Sequence, residues 1–494
     1  MGYQTVRALT PIRHSGVLRI PGQTSGDNAQ DFVAEDTQAN RLVALGYATS
    51  LGVASAPITP GMTSLGSCGY NVLADIIAQA ERATLRNPRT AVPLTLAAAN
   101  AAPTTGQVGY TNAGVNTSGY IETQFAAGYT LDAEYRADAA RRFQVLGAIN
   151  FIPLNRAGVN AIFRSNGNFQ TGVSIPCVNM FRITTDEDQP IITFAVLDVN
   201  QTVQIRVDET MLTAEVVLPA TAGAHNVLLD LSQLPSTGRA KTIDIMMDAH
   251  TNIGIKSVRV RGGKTVYNYP GRQPRICLIT DSLGSTAPQN AKAGNSFGRC
   301  LADHMGLPSL VNIPAGGQGW VRGIGVPYLL DHLLGTRGEK FDAFFIFHGL
   351  NDFEGNNADF SGAQKTVQQG VAEGIQRLQQ YAPGAPVVIG GAWPGNNTIN
   401  SLQDVNYTQA VNKETMIKAA VDAAASPNVK FLPVMTGPDP WFTGYGNVEN
   451  PTGTGNIEAY FIAADTLHWV SSAHNKIAQR AAYAITDVLR TITL

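Results

Sequence analysis

The sequence predicts a multidomain protein: a small N-terminal α+β unit, then an all-β jelly-roll-like sandwich, then a C-terminal α/β domain with a parallel sheet flanked by helices. Three observations carry this. The chain has 494 residues, 44% of them hydrophobic, which is too long for one domain at roughly 150 residues each and apolar enough for packed cores. Between about residues 131 and 268, apolar residues alternate with a period of two. From about residue 269 onward, near-continuous apolar runs alternate with helical stretches.

Residues 1–56 read as a unit of their own. Short β-like stretches at 6–12 and 17–20 precede a Pro21-Gly22 turn. EDTQANRLVALG then supplies a short helix, with Asp36 as N-cap and Gly46 as its stop. The "IRH-x-G" strand, the "PG" turn and the helix ending "RLVALG" resemble small modules at the starts of phage structural proteins. The resemblance implies a virion component, on a phage tail or particle surface, attached to other virion proteins through its N-terminal region. It also implies a homo-oligomer, often a trimer in such assemblies.

Residues 57–130 contain one helical pattern, with Val72, Leu73, Ile76 and Ile77 on one face. The Ala/Thr/Gly/Asn-rich stretch after it reads as a linker or a surface-covering arm. In residues 131–268, Val203, Ile205 and Val207 alternate with polar neighbours, as do Ile243, Ile245 and Met247. RITT, IITFAVLD, NVLLDLS and SVRVRG behave alike, which predicts an antiparallel sandwich. A carbohydrate-binding module and a spacer both remain open for it, since no Trp falls in the segment.

Residues 269–494 form the α/β domain. Its strands are predicted at ICLIT, LVNIP, AFFIFHG, PVVIGG and KFLPVM, with helices near 296–306, 327–335, 364–381, 408–425 and 471–490. Such strands build a parallel sheet covered on both faces, whose ligands sit beyond the strands' carboxyl ends. Because every motif described below lies after residue 269, this part is expected to fold alone.

Composition narrows the function. Lys+Arg (35) and Asp+Glu (37) nearly cancel, so the basic surface that nucleic acid requires is lacking. No run approaches the roughly 18 apolar residues of a membrane span. The N-terminus lacks the charged-then-apolar order of a secretory signal, while the weakly charged composition with 49 Gly suits extracellular or virion proteins. Cys68, Cys177, Cys277 and Cys300 are scattered without a CxxC and read as buried thiols, not a zinc cluster or a disulfide framework.

Chemistry-bearing residues follow the predicted strands. Asp281-Ser282-Leu283-Gly284 follows ICLIT, Gly316 and Gly317 follow LVNIP, and Gly349-Leu350-Asn351-Asp352 follows AFFIFH. Asp465-Thr466-Leu467-His468 precedes the last helix. A serine hydroxyl becomes a nucleophile when an imidazole takes its proton, and the resulting oxyanion needs preorganised donors. Asp465 lies three residues before His468, so one tight turn can bring both side chains to one side.

These four blocks, in this order, resemble the GDSL/SGNH hydrolase family. The resemblance implies Ser282 as nucleophile, His468 as general base and Asp465 as its orienting carboxylate. It implies an oxyanion hole from the Ser282 and Gly317 N–H groups and the Asn351 side chain. Two positions depart from the family pattern: Thr280 stands where the first Gly is usual, and Trp469 follows His468 where Pro is common. A β-sandwich ahead of such a domain is similar to the arrangement in polysaccharide O-acetyl esterases. The implied reaction is deacetylation of an acetylated polysaccharide through an acyl-enzyme, with no metal and no organic cofactor. The alternatives are an esterase or lipase on small or lipidic acyl esters, and a glycan-binding virion adhesin or decoration protein without turnover. Intact Ser282, Asn351 and His468 argue against the adhesin.

Four further expectations concern individual side chains. Trp320, Trp393, Trp441 and Trp469 each follow a strand or a motif, which places them on the catalytic rim as substrate-binding aromatics. Asp465, His468 and His474 lack the close Cys or Glu partner that a metal site would use. His348 reads as a core histidine. Asp281 and Asp352 read as holders of loop backbone.

Overall fold

Apolar periodicity sorts the chain much as expected, but its borders fall elsewhere. The computed structural model describes residues 3–8, 12–14, 17–19, 31–35, 48–53, 72–86, 93–124, 143–146, 151–156, 159–164, 167–168, 174–175, 179–196, 201–219, 221–247, 253–267, 274–284, 293–394, 403–442, 468–469 and 471–493. The chain divides into two units, residues 1–72 with 270–272, and residues 73–269 with 273–494. In the first, Tyr3–Ala8 pairs antiparallel with Asp31–Glu35 on one side and Ala48–Val53 on the other. Ile12–His14 pairs with Val17–Arg19. The helix expected over residues 36–46 lies outside the described residues, as do Cys68 and Cys177.

The second unit opens with the helix Val72–Arg86. Leu73, Ile76, Ala80 and Ala83 recur at helical spacing and are buried, whereas Ile77 is only half-buried. The residues after it correct the sequence reading. Instead of a linker, Thr95–Leu96, Gln107–Thr111 and Tyr120–Gln124 are strands of an eight-stranded sheet. Val108 and Tyr110 point alternately inward and are buried, so two apolar side chains suffice to seat a segment of otherwise loop-like composition.

That sheet and a six-stranded antiparallel sheet enclose one core. Phe181, Ile183, Val203, Ile205, Ile243 and Ile245 come from the smaller sheet, and Ile192, Phe194, Val227, Leu229, Ile255 and Val258 from the larger. The period-two residues singled out in TVQIRVD and TIDIMMD are the ones that fill it.

The α/β part carries a five-stranded sheet. Its order is Val311–Pro314, Ile276–Thr280, Ala343–Phe347, Val387–Gly390, Val429–Leu432, with every pairing parallel. Each of the first four of these strands is buried along its length, as a sheet covered on both faces requires. Cys277, Ile279, Phe344, Ile346 and Ile389 pack on Leu329, Val371, Ile375, Ile417 and Val421 from Gly325–Leu330, Val367–Tyr381 and Gln403–Ala424. Phe297–His304 and Ser471–Leu489 pack against each other. The chain leaves Ile276–Thr280 for a neighbour on one side and then for a neighbour on the other. The carboxyl end of that strand is therefore the topological switch point, where open parallel sheets bind ligands.

Candidate active site

Ser282 begins a 3-10 turn, Ser282–Gly284, directly beyond the switch-point strand, and is half-buried. The turn is held from below. The Asp281 carboxylate accepts the Leu283 N–H at 2.9 Å, the Asn312 amide donates to the Gly284 carbonyl at 2.7 Å, and Thr280 Oγ1 donates to Asn312 Oδ1 at 3.2 Å. A Cβ at position 284 would lie 1.9 Å from Thr280 Oγ1, so a threonine at 280 obliges glycine at 284.

Two further loops gather beyond the same sheet edge. Ala315 N–H donates to the Thr280 carbonyl at 2.7 Å, carrying the chain over the serine. A Cβ on Gly316 would sit 3.5 Å from the Ser282 Cβ. Gly317 follows at φ 71°, in the left-handed region that favours glycine. From the third loop, Asn351 Nδ2 donates to the Gln318 carbonyl at 2.8 Å. The neighbouring Asp352 carboxylate accepts the N–H groups of Trp320, Val321 and Arg322 at 2.6, 3.2 and 3.0 Å. Asp281 and Asp352 therefore hold loop backbone, as the sequence reading has them.

A buried cation beneath these loops was not visible in the sequence. Lys413, on Gln403–Ala424, donates to the Leu350 carbonyl at 3.0 Å and to the Asp352 carbonyl at 3.2 Å, straddling Asn351. Burial lowers its pKa against the opposing pull of Asp352 and Asp281. Burial likewise raises Asp281 to about 7. The next residue, Glu414, accepts the N–H groups of Val434, Met435 and Thr436 at 3.0, 2.7 and 2.8 Å. One helical dipeptide thus anchors the loops beyond two strands. The only sequence signal was a Lys-Glu pair in a helix, which ordinarily marks a solvated face.

His468 is half-buried and Trp469 buried, both ahead of the Ser471–Leu489 helix; Asp465 lies outside the described residues. His474 Nδ1 accepts the Phe297 N–H at 3.1 Å. Burial, reinforced by nearby His468, lowers its pKa to about 4. His348 is a core residue whose Nδ1 accepts the Gly349 N–H, and burial lowers its pKa to about 3.

The tryptophans require a correction. Trp320, Trp393, Trp441 and Trp469 are 0%, 1%, 4% and 0% exposed, so none presents a face to solvent. Trp393 stacks on Phe347 at 5.5 Å and meets Trp469 at 4.6 Å and Phe297 at 5.2 Å. Trp441 lies 5.9 Å from Phe347. Trp320 donates Nε1 to the His348 carbonyl. Large rings fill the wide layer between sheet and covering helices, and their position after strands reflects that packing.

Residues 279–456 match the model of the GDSL-like Lipase/Acylhydrolase family. Among solved structures, the chain is similar to a salicylyl-acyltransferase from a tetracycline biosynthetic pathway. The identity is 14% and the TM-score 0.53, over 76% of this chain and 100% of that one. It is also similar to an acetyl xylan esterase from the rumen bacterium Butyrivibrio proteoclasticus, with 14% identity and a TM-score of 0.44 over 76% of this chain and 100% of that one. A family two carbohydrate esterase from Cellvibrio japonicus gives 13% identity and a TM-score of 0.45, over 76% and 99%. No curated protein matches the chain in sequence. The acyltransferase likeness is one of fold, and at 76% of this chain it extends beyond the α/β part into the sandwich. The C-terminal part of the chain is thus similar to a GDSL-like lipase/acylhydrolase domain.

Proposed function

We propose that this domain is a serine esterase that removes O-acetyl groups from a polysaccharide. Ser282 Oγ attacks the ester carbonyl while His468 takes its proton and Asp465 holds the imidazole in the productive tautomer. The oxyanion is met by the Ser282 and Gly317 N–H groups and by Asn351 Nδ2, whose second hydrogen remains after the first serves Gln318. Collapse releases the sugar hydroxyl, protonated by His468, and leaves acetyl on Ser282. Water, activated by the same imidazole, then releases acetate. This route uses no metal or organic cofactor.

The observation that carries the reading is the placement of Ser282 at the switch point, with the Gly316 backbone beside it. The N-terminal resemblance supports a virion component acting on host surface glycan, docked through residues 1–56 and oligomeric. The test is acetate release from acetylated polysaccharides and hydrolysis of p-nitrophenyl esters of increasing chain length. Ser282→Ala should lower turnover by about 10⁴–10⁶-fold; a variant that keeps most of its activity overturns the assignment. Preference for long acyl chains would favour the lipidic-ester alternative, and glycan binding without any turnover would favour the adhesin.

A further inference from the structure

Buried tryptophans leave the domain without the rim aromatics expected for it, yet exposed rings stand directly after the Asn351 loop. Phe353 is 61% exposed and Phe360 52% exposed, and no other phenylalanine among the described residues is exposed to that extent. Neither ring is loose. The Arg322 guanidinium lies 5.0 Å from the Phe353 centroid and donates to the Asn351 carbonyl at 3.1 Å. Phe360 stacks on Tyr328 at 4.6 Å and 27°.

The segment between them is pinned. Asn357 accepts the Phe353 N–H at 2.7 Å and donates to the Phe353 carbonyl at 3.0 Å. Asp359 accepts from Ser361 and Ala363 and pairs with Lys365 at 2.9 Å. The loop is thus held by several hydrogen bonds in a form that leaves two apolar rings in water.

Beside Phe360 opens a cleft of about 170 Å³, lined by Tyr328, Asp331, Lys365, Glu373 and Arg377 among others. Its charges are mutually paired, Lys365 with Glu373 and Arg377 with Asp331, at 2.8 Å each. Val321, Ile324, Pro327, Tyr328 and Phe360 line it together with these paired charges, so it offers an apolar wall and polar groups side by side. A pyranose ring offers an apolar C–H face to an aromatic ring and a rim of hydroxyls to neighbouring carboxylates and cations.

We infer that Phe353 and the Tyr328–Phe360 pair are stacking platforms for the sugar rings of a polymeric substrate. This rests on the esterase reading above and gives its substrate the length of several sugars.

The experiment measures binding in the full chain carrying Ser282→Ala, so that turnover does not enter, by calorimetry with O-acetylated mono- and hexasaccharides of xylose, glucose and mannose. Affinity should rise from one ring to six for at least one sugar. Adding Phe353→Ala or Phe360→Ala should each remove about tenfold of that rise, with the thermal midpoint unchanged at these exposed sites. The inference is overturned if no sugar gains affinity with ring number, or if the gain survives both substitutions. It is equally overturned if p-nitrophenyl octanoate is the ligand whose binding Phe353→Ala weakens, which would assign the rings to an acyl chain. Failure of the wild-type chain to hydrolyse p-nitrophenyl acetate would instead strike the esterase reading and leave the binding result standing.

Discussion

Arg206 of the sandwich donates Nη1 to the Asp303 carboxylate of the Phe297–His304 helix at 2.7 Å, each side chain only 5% exposed. Asp303 also receives Arg299 at 2.8 Å, while Arg206 and Arg182 share Asp244. The α/β part therefore holds charges whose partners lie in the sandwich. Removing one member of a buried pair strands the other, typically at a cost of about 3–5 kcal/mol. Asp303→Asn should lower the urea midpoint accordingly. Against the sequence expectation, a fragment of residues 269–494 should be insoluble or inactive. A soluble, active fragment would show that the α/β part does without the network.

Acid should weaken the same network. Burial alone would raise the Asp244 carboxyl, but Arg182 and Arg206 hold it at about 2. Its folded pKa lies below the unfolded value of roughly 3.9, so its contribution, on the order of 2 kcal/mol, is complete above that value and fades as pH falls towards 2. Urea midpoints of wild type and Asp244→Asn should differ most at pH 5–6 and converge near pH 2. A constant difference across that range would contradict the assignment.

Lys413→Met should impair turnover through Asn351. Without the ammonium, the Leu350 and Asp352 carbonyls lose their common donor, and the oxyanion donor between them loses its fixed geometry. On p-nitrophenyl acetate, kcat should fall by about 10–100-fold with KM nearly constant, and Lys413→Arg should restore part of it. A lower thermal midpoint with unchanged kcat would make Lys413 a purely structural residue.

Direct removal of the donor should cost more. Asn351→Ala is expected to lower kcat by about 10²–10³-fold with little change in KM, because the interaction strengthens as the oxyanion forms. A large rise in KM at constant kcat would recast Asn351 as a ground-state binding residue.

Trp393→Ala should destabilise the domain by about 3–5 kcal/mol, the usual cost of emptying a large core site, as read from chemical denaturation. A stable variant with weakened glycan affinity would return Trp393 to the substrate.

Local order made much of this molecule legible in advance. Ser282, the Gly316-Gly317 pair and Asn351 each follow an apolar run, and a parallel sheet aligns the ends of such runs at one edge. The period-two residues around Val203 and Ile243 likewise mark which face of their strands is buried. Periodicity reports a buried face, however, and never what covers it. The three strands among residues 95–124 were hidden because neighbouring strands, not their own composition, hold them in the sheet. The tryptophans stood in the right sequence positions for a rim; Phe297 and Phe347 packed against Trp393, Trp441 and Trp469, and the Gly370–Gly374 helix face against Trp320, decided that they are core. Arg206–Asp303 and the Lys413 clamp join residues 97 and at least 61 positions apart. Whether a charged residue there faces water or a buried counter-charge depends on the packing of separate elements, which the tertiary structure alone decides.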